Sequence, residues 1–229
     1  MTTRHVDLGE DSMFPRRRPA LLTAAAVLAL ATGMTMTGTL ATAATAPAHS
    51  ASTRGSGALP PIGAEIPSSM RADNSELEVQ GTTYHVTFRG GIKQRVDVNP
   101  DNPVDSVRLR TVGFRVSAEI DGGKYSSVIF SQDESDDEAK STLVRTQPFP
   151  AKYEERDELS FSATFEPRDG GEPLVLRTKE PMVLVASLTE FPARGDRYHL
   201  ARPVELVDPQ DPDRVEAVLK TFPSKRGGL

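Results

Sequence analysis

The sequence predicts an all-β protein, an antiparallel β-sandwich in a single domain with one short C-terminal helix. Apolar and polar residues alternate with a period of two from Asn74 onwards, as they do in half-buried strands. Gly, Pro, Asn and Asp punctuate these short runs at regular intervals. Helical signals are nearly confined to residues 213–221. Many short strands separated by such turns are typical of a sandwich.

The chain divides into three parts on composition. We predict a signal peptide over residues 1–50, a flexible linker over 51–73 and the β-sandwich domain over 74–229. Pro19–Ala48 contains no charged side chain and follows a cluster of arginines, which is the pattern of an export signal. The linker is rich in Ser, Gly, Pro and Ala. It has few large apolar residues whose burial could offset the conformational entropy lost on ordering.

The export signal resembles a twin-arginine signal. Arg17 and Arg18 precede a weakly hydrophobic, Ala- and Thr-rich segment, whereas general secretion signals are shorter and more apolar. General secretion stays open as the alternative route. Small residues predict cleavage after Ala48 or Ser50. The alternative is an uncleaved anchor, since the uncharged stretch is long enough to span a bilayer.

Charge and cysteine content narrow the function classes. Of the 27 Lys and Arg and 32 Asp and Glu, four basic and three acidic residues precede residue 52, which leaves the rest a net charge of −6. An acidic domain repels phosphate backbones and anionic lipid surfaces, so we predict no nucleic-acid partner and no stable membrane insertion after cleavage. The chain has no cysteine, which excludes disulfides, thiol nucleophiles and thiolate metal sites.

The first strands follow from the alternation of their side chains. Tyr84–Phe88 places every second residue on an apolar face, and Ile92–Val98 continues this pattern after a predicted turn at Gly90-Gly91. Val107–Ile120 is the longest strand region. Its apolar phase slips by one residue at Thr111-Val112, which predicts a β-bulge or a break there.

The later elements follow from turn chemistry and apolar runs. Asp-Gly-Gly at 121–123 and at 169–171 supplies positive φ angles for two hairpins, which join strands 112–120 to 125–131 and 159–166 to 174–178. Met182–Leu188 is the most continuously apolar segment and is predicted as the central strand, covered on both faces. Tyr198–Val207 is the last predicted strand. Asp211 as N-cap and Pro212 in the first turn predict the helix over 213–221.

The candidate functional residues are two histidines, two acidic clusters and one tripeptide. His85 and His199 lie in phase with polar neighbours and are predicted to face solvent. Asp133–Glu138 is interpreted as a solvated hairpin loop, and Glu154–Glu158 as a solvated entry to a strand. Arg194-Gly195-Asp196 matches a cell-attachment tripeptide, but Gly and Asp also favour a turn at this position by themselves. No G-x-S-x-G or H-E-x-x-H motif occurs.

These observations favour a secreted, non-catalytic bacterial protein outside the cytoplasm. The predicted partner is an unidentified protein or cell-wall polymer, and no catalytic, metal-binding or cofactor-binding residue is assigned. The alternative is a secreted hydrolase whose carboxylates come from Asp133–Glu138 or Glu154–Glu158. A third possibility is a structural module tethered by an uncleaved signal.

Export through the twin-arginine route can be tested at the arginine pair. We expect the secreted form to begin at His49 or Ala51, as read by N-terminal sequencing of culture supernatant. The double variant Arg17→Lys, Arg18→Lys should no longer be secreted, because the receptor recognises the guanidinium pair rather than charge alone. Normal secretion of the double variant would assign the protein to the general pathway, and an intact Met1 in the membrane fraction would establish the anchor.

Overall fold

The computed structural model describes residues 57–133 and 140–227, and within them every regular element is a β-strand. All strand pairs are antiparallel. The all-β, antiparallel prediction is therefore confirmed, and the predicted signal peptide lies outside the described residues. The strands are β1 (Glu65–Val79), β2 (Thr82–Val98), β3 (Ser106–Glu119), β4 (Tyr125–Gln132), β5 (Ser141–Pro148), β6 (Ala151–Leu159), β7 (Phe161–Pro167), β8 (Leu174–Thr178), β9 (Met182–Leu188), β10 (Asp196–Leu200), β11 (Val204–Asp208), β12 (Asp211–Leu219) and β13 (Ser224–Arg226).

The strands close into two rings that share the long strands β1, β2 and β3. The first ring runs β1-β2-β3-β4-β7-β8-β11-β12 and returns to β1; the second runs β1-β2-β3-β5-β6-β9-β10-β13 and also returns to β1. Different parts of the shared strands serve each ring: β12 pairs with β1 at Leu77–Val79, whereas β13 pairs with it at Met70–Ala72. After β3, the chain crosses between the rings five times.

Two of the long strands, β1 and β3, have an irregularity between the parts that serve the two rings. The pairing of β1 with β2 shifts between Ala72 and Ser75, and Val112 is an extra residue in β3 opposite the Lys93–Gln94 step of β2. The bulge predicted at Thr111-Val112 is thus confirmed. The turn predicted at Gly90-Gly91 is wrong, because β2 runs straight through it. Gly90 is needed for another reason: a Cβ there would collide with the carbonyl oxygen of Arg115 on β3.

One continuous apolar core fills both rings. The aromatic side chains of Phe88, Phe130 and Phe161 stack in series, with their centroids 4.5 Å apart at each step. Phe222 packs on Phe88 at a centroid distance of 5.4 Å. Phe161 directly follows the passage from β6 to β7, and Phe222 lies between β12 and β13. The aromatic stack therefore lies where the chain passes between the rings.

The predicted C-terminal helix is wrong, because residues 211–219 form strand β12. This strand pairs with β11 on one side and with β1 on the other. Its last residues alternate, so that Ala217 and Leu219 are buried while Glu216 and Val218 are half-buried. A helix here would leave the edges of β1 and β11 without partners. These distant pairings outweigh the local helix-start signal of Asp211-Pro212.

Five other features differ from the predictions: the number of sheets, the end of the linker, the continuity of two strands and the burial of a third. The described strands form a single hydrogen-bonded sheet rather than the two sheets of a sandwich. The linker predicted over 51–73 already contains the first part of β1, because Glu65–Ala72 pairs with β2. The predicted strands 159–166 and 198–207 are each interrupted, at Ser160 and at residues 201–203, where the chain changes ring. The two Asp-Gly-Gly hairpins and the bounds of Met182–Leu188 are as predicted. The prediction that both faces of this strand are covered is wrong, because Val185 is half-buried and Ser187 is exposed.

Strand phases can be tested by one inward and one outward truncation. Leu184 of β9 is fully buried between β6 and β10, so Leu184→Ala should lower the free energy of unfolding by about 2–5 kcal/mol. His85 of β2 is exposed, and His85→Ala should change it by less than about 0.5 kcal/mol. Denaturant unfolding of both variants measures the contrast. A near-neutral Leu184→Ala would contradict the position of β9 in the core.

Candidate functional site

The acidic cluster at 154–158 lies within strand β6 and does not precede a strand as predicted. Side chains of a strand alternate between its faces, so Glu154 is exposed while Glu155 and Asp157 point inward. Glu155 is 1% exposed and Asp157 is fully buried. The interpretation of these two acids as solvated is therefore wrong. They belong to the interior of the second ring.

A buried arginine from β13 pairs with both carboxylates. The Arg226 guanidinium donates from Nη1 to Glu155 Oε1 at 2.9 Å, and its Nη2 forms an ion pair with Asp157 Oδ2. Its side chain is 1% exposed. The guanidinium carbon also lies 4.1 Å from the ring centroid of Tyr198, within the range of a cation–π contact.

Tyr198 and Gln94 complete the hydrogen bonding of the two acids. The Tyr198 hydroxyl donates to Glu155 Oε2 at 2.6 Å. Gln94 Nε2 donates to Asp157 Oδ1 at 2.6 Å and lies 3.4 Å from Glu155 Oε1. We call these five residues the buried charge cluster. Since they come from β2, β6, β10 and β13, the cluster connects four strands of the second ring across its interior.

The electrostatics of the cluster follow from burial and from the two neighbouring acids. Burial, together with the nearby Asp157, raises the pKa of Glu155 to about 8, even though Arg226 acts in the opposite direction. Burial alone would lower the pKa of Arg226, but Asp157 and Glu155 outweigh it and the pKa is raised. Burial and the neighbouring Glu155 raise the pKa of Tyr198.

This arrangement is suited to holding strands together. Paired carboxylates act as general acid and base only when substrate can reach them. Every member of the buried charge cluster is at most 2% exposed. The buried carboxylates are also engaged by Arg226, Tyr198 and Gln94. Their geometry is that of an internal ionic network.

The other predicted candidates are two histidines, the Arg-Gly-Asp tripeptide and the acidic run Asp133–Glu138, and Asp196 of the tripeptide lies opposite Arg226 in the register of β10 and β13. His85 and His199 are exposed on β2 and β10, as predicted. Arg194-Gly195-Asp196 forms a turn, with Gly195 at φ +84° and the Arg194 amide donating to Asp196 Oδ2. Asp133 ends the described part after β4, and residues 134–138 of the acidic run lie outside the described residues.

Within 57–133 and 140–227, no three His, Asp or Glu side chains converge as metal ligands would. In the same ranges no helix is long and apolar enough to cross a membrane.

Sequence reasoning missed Gln94, Tyr198 and Arg226 as members of the cluster and placed Glu155 and Asp157 in solvent. The phase of the strands was a signal for three of these five residues. Gln94 lies in phase with the buried Ile92 and Val96, so a polar side chain in that position required a partner. Likewise, Glu155 and Asp157 alternate in phase with Tyr153 and Leu159. Arg226 and Tyr198 gave no comparable local signal.

Comparison with known proteins identifies the fold but no family. No family model and no curated protein matches this sequence. A solved structure with a similar fold is that of DynF from the dynemicin biosynthesis pathway of Micromonospora chersina. The match covers 74% of this chain and 82% of DynF, with a TM-score of 0.58 and 19% identity. At this identity the likeness shows the fold alone.

The raised pKa of Glu155 makes a sign-specific prediction for stability. Its value rises from 4.5 to about 8 on folding, so the folded state holds a proton that the unfolded state loses. The contribution of Glu155 is therefore fully present below pH 4.5 and is lost as pH rises through about 8. Between these limits the free energy of unfolding should fall by about 1.4 kcal/mol per pH unit because of this group.

Glu155→Gln should remove this component, because the amide does not titrate. The matched control is Glu154→Gln, an exposed neighbour on the same strand, which should keep the wild-type pH dependence. Urea unfolding from pH 5 to pH 8 measures all three proteins. Equal slopes for the wild type and Glu155→Gln would contradict a protonated Glu155.

Proposed function

We propose that this chain is an exported, non-catalytic protein that binds a cell-wall polymer through its outer surface. One observation carries the proposal over the hydrolase alternative. Of the acids in Asp133–Glu138 and Glu154–Glu158 that the sequence offered as catalysts, Glu155 and Asp157 are sealed inside the second ring, where Arg226 pairs with both. Side chains that can meet a partner therefore belong to the outer faces of the strands.

The export signal supports a location outside the cytoplasm. The uncharged stretch Pro19–Ala48 behind Arg16–Arg18 has the composition that an export signal requires. DynF belongs to a biosynthetic pathway, but a likeness in fold at 19% identity carries no activity, and the proposal takes none from it.

Sedimentation with cell walls tests the proposal. We expect the secreted protein to pellet with purified bacterial cell walls in a saturable manner, and to release no soluble wall fragments. The Glu155→Gln variant should pellet equally well, because Glu155 faces the interior. A protein that stays in the supernatant would contradict wall binding. Fragment release that Glu155→Gln abolishes would instead establish the hydrolase.

A further inference from the structure

Four basic side chains form a row across the outer face of the second ring. The strand register places Arg197 of β10 opposite Lys225 of β13, Lys225 opposite Arg71 of β1, and Arg71 opposite Arg89 of β2. Each of the four is next to a fully buried residue of its own strand (Met70 and Ala72, Phe88, Tyr198, and Ser224 and Arg226), so all four belong to the outward phase. Arg89 and Arg197 are exposed, and Arg71 and Lys225 are half-buried. With neighbouring strands about 4.8 Å apart, this cation row spans about 14 Å.

Two further arginines extend the row onto the first ring. Arg115 of β3 pairs with Gly91, two residues beyond Arg89 on the same face of β2. From Arg115 the register continues through Ser131 and Ser162 to Arg177 of β8. Arg115 and Arg177 are exposed, and the serines between them are half-buried. We call the cation row with these two arginines the basic band.

The basic band is poorly neutralised by the protein itself. Among the described residues, only Arg71 of the band has a carboxylate within 4.0 Å, that of Asp73 at 2.7 Å. Like charges directly opposite each other on neighbouring strands destabilise a sheet. Arg110 of β3, by contrast, is paired with Asp97 at 2.9 Å. The band, compensated within the described part of the chain only at Arg71, therefore maintains a local positive potential on a chain whose net charge is negative. The repulsion of phosphate backbones expected from the net charge does not apply at this surface.

We propose that the basic band binds an extended polymer of repeating phosphate groups, of the polyol-phosphate type found in cell walls. This inference rests on the proposed function and names the ligand class. Guanidinium groups bind phosphate oxygens through two parallel hydrogen bonds. A row of cations on an open sheet face suits a chain of regularly spaced anions. The positions between the cations are Gly and Ser, without the aromatic side chains on which nucleic-acid bases stack.

The test uses the secreted protein and soluble poly(glycerol phosphate), with affinity measured by titration calorimetry at low and high salt. We expect binding that weakens as salt rises. The double variant Arg89→Glu, Arg197→Glu should lose about tenfold or more in affinity, because two phosphate contacts become repulsive. The matched control Arg202→Glu, Arg214→Glu changes the net charge equally, at exposed arginines outside the band, and should bind like the wild type. Circular dichroism verifies that both variants are folded.

The possible outcomes separate this inference from the proposed function. No binding of poly(glycerol phosphate) by the wild type, or an equal loss in the control, would overturn the basic band as the site. Tighter binding of single-stranded DNA with the same number of phosphates would assign the band to nucleic acid and would likewise overturn the proposal. If wall sedimentation persists in either case, wall binding stands and only the ligand assignment fails. If the wild type does not sediment with walls, the proposed function fails.

Discussion

A guanidinium held between two buried carboxylates closes the second ring. β13 contributes only three residues, yet it joins β1 to β10 and thereby completes the circle of hydrogen bonds. Arg226 anchors this short strand to Glu155 and Asp157 of β6, which lies on another part of the ring. Removing one partner of a buried ion pair costs about 3–5 kcal/mol, because the remaining charge is left without compensation. The closure of the second ring therefore depends on the pairing of Arg226 with Glu155 and Asp157.

The shared strands must keep the same face inward along their whole length, because one core fills both rings. β2 does so without interruption: Tyr84, Phe88 and Ile92 all point inward. Its neighbours reach the same result only by changing phase, β1 between Ala72 and Ser75 and β3 at Val112. The extra residues in β1 and β3 change which alternate side chains point inward and so keep apolar side chains in the core.

Local features of the fold could be predicted from the sequence, and features that depend on distant residues could not. The bounds of Met182–Leu188 and the bulge at Val112 follow from patterns within a few residues. The buried charge cluster joins Glu155 to Arg226, 71 residues apart, and no local pattern connects them. The same limit explains the wrong helix at 213–221. A cap and a proline were visible in the sequence, whereas the edges of β1 and β11 that pair with this segment were not.

The five passages between the rings have a consequence for how the protein forms. Because the strands of each ring come from several separate stretches of chain, no single cut divides the domain into two complete halves. Neither ring can serve as a preformed template for the other, so both must close in the same cooperative event. Chains dominated by such distant pairings fold slowly, since the entropy of large loops is lost before contacts compensate for it. The interlaced topology thus makes this domain an indivisible folding unit.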